Sequence, residues 1–183
     1  MNTEELEKSL MECFKEAEKH EKKGRKHKGL LIIRPSGKAV QEYIQKAKME
    51  LELCDIYKQK GIDYKIAEEW FYTLYYCALA ILSKFGVETR SQKYTALFLR
   101  YVKDRGLIEY DDEFIRRITV YSEKGEKSEV DEREQSRYSS SIKSEKIRQR
   151  YEEMMHLCKK AISQCEEIVF SDKELKVPKE LSG

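Results

Sequence analysis

The sequence predicts an all-α single domain with a basic N-terminal helix and a charged loop before the last helix. Three observations predict it. Only two prolines and eight glycines interrupt 183 residues, while Glu, Lys and Leu, all good helix formers, are abundant. Apolar residues recur at spacings of three and four along successive stretches, the signature of helices that bury one face. Glycine, serine or aspartate marks the joins between those stretches. Forty per cent hydrophobic residues suffices for one core, and the length suits one domain.

The elements follow in order. Asn2 or Thr3 can cap a first helix with Glu4 and Glu5 in its first turn. Its apolar face is Leu6, Leu10, Cys13, Phe14 and Ala17. Gly29 to Gly37 holds the short apolar run Leu30–Ile33 and reads as an extended connector covering the bundle; the alternative is a short strand. Ser36 starts a second helix, with Val40, Ile44, Ala47, Leu51 and Cys54 as its single stripe. Gly61-Ile62-Asp63 breaks it, and Asp63 is expected to cap the third helix, Tyr64 to Phe85, which closes on Gly86. That helix is apolar on most sides, the mark of a bundle centre or a dimer interface. After Val87-Glu88-Thr89, a fourth helix over Ser91–Lys103 carries Tyr94, Leu97, Phe98 and Tyr101. A short helix is predicted over Asp112–Tyr121. More than half of residues 123–146 are charged, which reads as a loop or a frayed helix. The last helix, Ser144–Val169, has the stripe Ile147, Tyr151, Met154, Cys158, Ala161, Cys165 and Ile168, and a loosely packed polar tail follows. The organisation is therefore 1–28, an N-terminal helix with a basic end; 29–170, the bundle; and 171–183, the tail.

Charge and cysteine usage exclude several classes. The formal net charge is +2, so no global basic field is present. Locally the balance breaks: Lys19 to Lys28 holds six Lys or Arg, two His and one acid, Glu21. Such a run suits RNA phosphates or an acidic partner, and otherwise is the solvated end of a helix. The five cysteines form no CxxC and sit on apolar stripes, as reduced, buried thiols of a cytoplasmic protein do. His20 and His27 have no ligand-spaced neighbours, so neither a metal nor another cofactor is expected. The longest uncharged run, Trp70–Ser83, is 14 residues, short of the roughly 20 a membrane span needs. No signal peptide is expected from the charged N-terminus.

Three segments together resemble the HEPN superfamily. The first is Gly29-Leu30-Leu31 with Pro35, Ala39, Tyr43, Ala47 and Leu51. The second is the run Trp70 to Leu82 followed by Phe85-Gly86-Val87 and Arg90-Ser91-Gln92. The third is Arg133-Glu134-Gln135-Ser136-Arg137-Tyr138-Ser139 before the last helix. The resemblance spans Gly29 to Val169. It implies an up-and-down bundle of four to five helices, often a homodimer, that binds a nucleotide or RNA. It also implies partnership with a minimal nucleotidyltransferase, as in toxin–antitoxin pairs; some members are metal-independent ribonucleases. The chain departs from the family at Gln92, where His is frequent, because an amide cannot shuttle a proton near neutral pH.

The candidate residues follow from this. Arg90, Ser91 and Lys93 stand at a helix N-terminus, where backbone N–H groups and two cations suit a phosphate; the plain alternative is a helix cap. Arg133, Arg137 and Tyr138 could clamp an anion or stack a base, or anchor a solvated loop. In a ribonuclease, His156 would serve as general acid or base and Arg150 would stabilise the charged transition state. Six positions apart, these two lie about 240° around a straight helix, so a shared site needs two chains. Trp70, Tyr72, Tyr75 and Tyr76 read as core and dimer interface before a base pocket. The leading expectation is a non-catalytic nucleotide- or RNA-binding module. Its rivals are an Arg/His ribonuclease and a structural helical adaptor.

Overall fold

The computed structural model describes residues 2–119 and 144–182. Six α-helices are present among them: α1 (Thr3–Lys22), α2 (Gly37–Gln59), α3 (Asp63–Phe85), α4 (Gln92–Asp104), α5 (Asp112–Ile118) and α6 (Ser144–Val169). Two short strands, β1 (Leu30–Ile32) and β2 (Val87–Thr89), join them, and a 3₁₀ turn at Lys179–Leu181 follows. The fold is an all-α helical bundle with a two-stranded clasp.

α3 is the centre. It packs most extensively on α2 and then on α6, and it also touches α4, α5 and β2. Its composition explains the position: Trp70, Phe71, Leu74, Cys77, Ala78, Ile81 and Leu82 are all buried, on more than one side of the helix. Every residue of the α2 stripe and of the α6 stripe is buried, as their spacing predicts. α1 is capped by Asn2, whose side chain accepts from the Glu5 N–H while Glu5 reaches back to the Asn2 N–H. Its five predicted apolar residues join the same core, against α4 and β1.

Three local expectations change. The connector over Gly29–Gly37 contains a strand after all: β1 pairs antiparallel with β2, with Leu30 opposite Thr89, Leu31 opposite Glu88 and Ile32 opposite Val87. Its partner is the three-residue segment Val87–Thr89 that joins α3 to α4. Asp63 does not cap α3. The cap position is Ile62, with no side-chain bond, and Asp63 instead is buried in the first turn, accepting from Arg148 Nε of α6 at 2.6 Å. The tail is anchored: Leu175 and Leu181 are buried, and Glu180 pairs with Arg105.

Candidate nucleic-acid interface

The basic run is divided by one turn. Gly24 adopts φ +66° beyond the end of α1, and the Arg25 N–H returns to the His20 carbonyl at 2.9 Å, a closure that leaves the helix axis sharply. Lys19 and Lys22 stay on α1 and pair with Glu16 and Glu18 at the surface. Arg25 to Lys28 run on toward β1. His27 alone turns inward. Its side chain is fully buried, with Nε2 3.1 Å from Glu88 Oε1 on β2. Its backbone N–H donates to Glu21 Oε1 at 3.3 Å. Nδ1 is buried and has no hydrogen-bond partner among the described residues.

Glu88 ties the segment to its neighbours. Arg90 Nε donates to the same Oε1 at 3.0 Å, and the Arg90 N–H reaches the Gly29 carbonyl at 3.0 Å, continuing the ladder. Burial pushes the Glu88 carboxyl up, but the hydrogen bonds from His27 and Arg90 outweigh it and hold the group below its ordinary range. The Lys28 end of the basic run therefore lies one hydrogen bond from Arg90, immediately before α4.

At the start of α4, Ser91 is the cap, its Oγ accepting from the Tyr94 N–H at 3.4 Å. The Thr89 hydroxyl lies 3.0 Å from that of Thr95 and accepts from the Ser91 N–H. Both readings of Ser91 thus meet in one place: it caps the helix, and the helix start sits beside Arg90. Lys93 is exposed, its ammonium 5.6 Å from the Tyr94 ring. Its charge is felt at Cys13, where it opposes the rise that burial imposes on the thiol. Cys13 Sγ in turn accepts from the Leu30 N–H at 3.3 Å, so Lys93 belongs to the same edge as β1. Arg25, Lys26 and Lys28 are exposed and make no ion pair among the described residues. This edge can hold a chain of phosphates by charge, with two guanidinium groups for bidentate contacts.

The remaining candidates lie elsewhere. α6 is unbroken from Ser144 to Val169, so Arg150 and His156 stand roughly 9 Å apart along the axis and on different sides. Arg150 is half-buried with a guanidinium nitrogen 3.4 Å from Met154 Sδ, while His156 is exposed. Gln92 donates to the Ile118 carbonyl at 3.4 Å, tying α4 to α5. Arg133, Arg137 and Tyr138 lie outside the described residues. Trp70 is in the core, whereas Tyr72, Tyr75 and Tyr76 are only half-buried. His27 is the participant that sequence reasoning missed. The available signal was weak: one histidine just ahead of an apolar run, with its partner 61 positions away.

No family model matches the chain, and no curated protein or solved structure is found to be similar to it. Fold and edge together define a helical bundle whose two-stranded clasp presents a basic surface. Among the described residues, no helix is long and apolar enough to cross a membrane, and no cluster of His, Cys, Asp or Glu could hold a metal ion.

Proposed function

We propose that the chain is a HEPN-like, non-catalytic module that binds RNA or nucleotide phosphates along the edge made by Arg25, Lys26, Lys28, Arg90 and Lys93. The observation that carries this reading is the burial of His27 against Glu88. It turns what would be a solvated helix end into a fixed row of cations beside Arg90 and the start of α4. Fixed cations release counterions from a phosphate chain without the entropy loss of ordering a loose arm. The non-catalytic reading is supported by one feature. The amide at Gln92, which cannot relay a proton near neutral pH, is engaged with α5. The homodimer and the nucleotidyltransferase partner implied by the family resemblance belong to the same reading.

The test is binding of fluorescent single-stranded RNA over a salt series, in excess chelator, with the RNA afterwards examined for cleavage. Each phosphate contact on a single strand contributes about 0.7 to the slope of log K against log salt. Replacing Arg25, Lys26 and Lys28 together with Ala is expected to reduce that slope by about 2. An unchanged slope and affinity would remove the edge from the account. Cleavage of the RNA that disappears in His156→Ala would replace this reading with a ribonuclease whose Arg150 and His156 meet across two chains.

A further inference from the structure

A cleft of about 820 Å³ opens where five segments meet. The connector after β1, the first turn of α2, the last turn of α3, the end of α6 and the tail all contribute to its wall. The Ile33 N–H donates to the Gly86 carbonyl at 2.8 Å, which brings the connector against the end of α3. Val40, Phe85 and Val169, all buried, supply the floor. The tail closes the remaining side, with Leu175 buried and Val177 half-buried. None of the cations of the basic edge lines this cleft.

Exposed apolar surface is concentrated here. Six large hydrophobic residues are exposed among the described residues, and three of them, Ile32 (44%), Ile33 (38%) and Phe170 (55%), line this one cleft. Apolar residues scattered singly over a surface need no explanation, whereas a group of them around a concavity marks a binding site. The volume falls within the roughly 300–1,000 Å³ of small-molecule sites. Apart from Phe85 and Phe170, the apolar lining is aliphatic, so it suits an alkyl chain better than a planar ring.

The charged groups of the wall decide what the other end of that chain carries. Lys84 is half-buried, and its ammonium donates to the Ser171 carbonyl at 3.0 Å, just past the end of α6. Lys173 is exposed and donates to the Leu107 carbonyl at 2.8 Å. A carbonyl accepts the N–H without cancelling the charge. Lys176 is paired with Glu174 at 3.0 Å. Asp172, the other acid of the wall, is exposed and makes no ion pair with Lys84 or Lys173. An uncancelled ammonium partly withdrawn from water, beside apolar surface, is the complement of an anionic head on an apolar body. A cationic amphiphile would set like charge beside Lys84, and a phosphate chain would leave the apolar wall unused. We propose that the cleft binds a single-chain fatty carboxylate, with its alkyl chain against Ile32, Ile33 and Phe170 and its head on Lys84.

The test is calorimetry of the full chain with decanoate, dodecanoate, decanol and decyltrimethylammonium, each below its micelle concentration. Decanoate is expected to bind saturably at one per chain, at least about tenfold tighter than decyltrimethylammonium. Dodecanoate should bind about three- to tenfold tighter than decanoate, since its two extra methylenes leave water. Lys84→Met keeps the stem and removes the charge; it should weaken decanoate about tenfold and leave decanol unchanged, while Lys84→Arg retains decanoate binding. Phe170→Ser, at an exposed position that leaves the thermal melt in place, should weaken decanoate and decanol alike. Uptake without saturation, equal affinity for the carboxylate and the ammonium, or full decanoate affinity in Lys84→Met would each overturn the proposal. A dimer in sedimentation velocity that Phe170→Ser dissociates, with no saturable decanoate uptake, would give the cleft to a second copy of this chain and would overturn it as well.

Discussion

Gly86 and Gly24 both lie at positive φ, yet substitution should separate them. At Gly86 (φ +74°) an added Cβ would stand 2.6 Å from the Ile33 carbonyl oxygen and 3.0 Å from the Pro35 ring, in the crossing that starts the clasp. At Gly24 (φ +66°) nothing lies within 4 Å. Gly24→Ala is therefore expected to cost about 1 kcal/mol from backbone strain alone, and Gly86→Ala more than about 3 kcal/mol because the clasp must also move apart. Chemical denaturation of the two variants reads the difference. His27→Ala removes no exposed cation. It should still lower stability by about 1–3 kcal/mol, weaken RNA binding and speed hydrogen exchange at the Lys28 to Leu30 amides, because the run is released from Glu88. The stripes on α1, α2 and α6 were legible residue by residue, since a 3.6-residue period is itself a record of burial. His27 and Asp63 were not. Each is placed by a carboxylate or guanidinium that sequence spacing cannot locate, 61 positions away for His27 and 85 for Asp63.

Among the elements, α3 and α6 are joined at one end by a polar contact. α3 begins without a side-chain cap, and the buried Asp63 carboxylate accepts from Arg148, whose own side chain is 65% exposed. Removing the guanidinium leaves the carboxylate buried, but solvent reaches the vacated side. Arg148→Ala is expected to cost about 1 kcal/mol, less than for a fully enclosed pair, with faster exchange confined to the first turns of α3 and α6. The clasp was the element least legible beforehand. Three residues are too few to show an alternating pattern, and Ile32 meets Val87 only after two long helices have folded between them. α4 was read with its face slightly turned: Tyr94 and Leu97 are half-buried, while Thr95, Leu99 and Val102 are buried. β2, α3 and α5 all pack on this helix, so its buried arc is wider than the single stripe its period suggests.

For the whole molecule, a formal net charge of +2 hides a local basic edge beside the clasp. The edge was half-legible: Arg25, Lys26 and Lys28 are near neighbours in the sequence, whereas Arg90 and Lys93 come from beyond two helices. Carboxyl groups shape the response to pH. Folded Glu69 holds a proton that the unfolded chain loses near the ordinary carboxylate range, so the folded state binds more protons and stability falls as pH rises from about 5 to about 8. Glu88, Asp111 and Asp112 lie below their ordinary values, so the stability they contribute is present above that range and lost as pH falls through it. A thermal-melting series should show both limbs, and Glu69→Gln should flatten only the alkaline one. The clasp carries a further consequence, one of timing. The α2–α3 hairpin forms through local contacts, whereas β1 can meet β2 only by closing the loop that contains both helices, which delays its assembly. The phosphate edge is thus expected to be the last part of the molecule to mature. A refolding chain should regain its helical signal before it regains affinity for RNA, and stopped-flow traces of the two would separate in time.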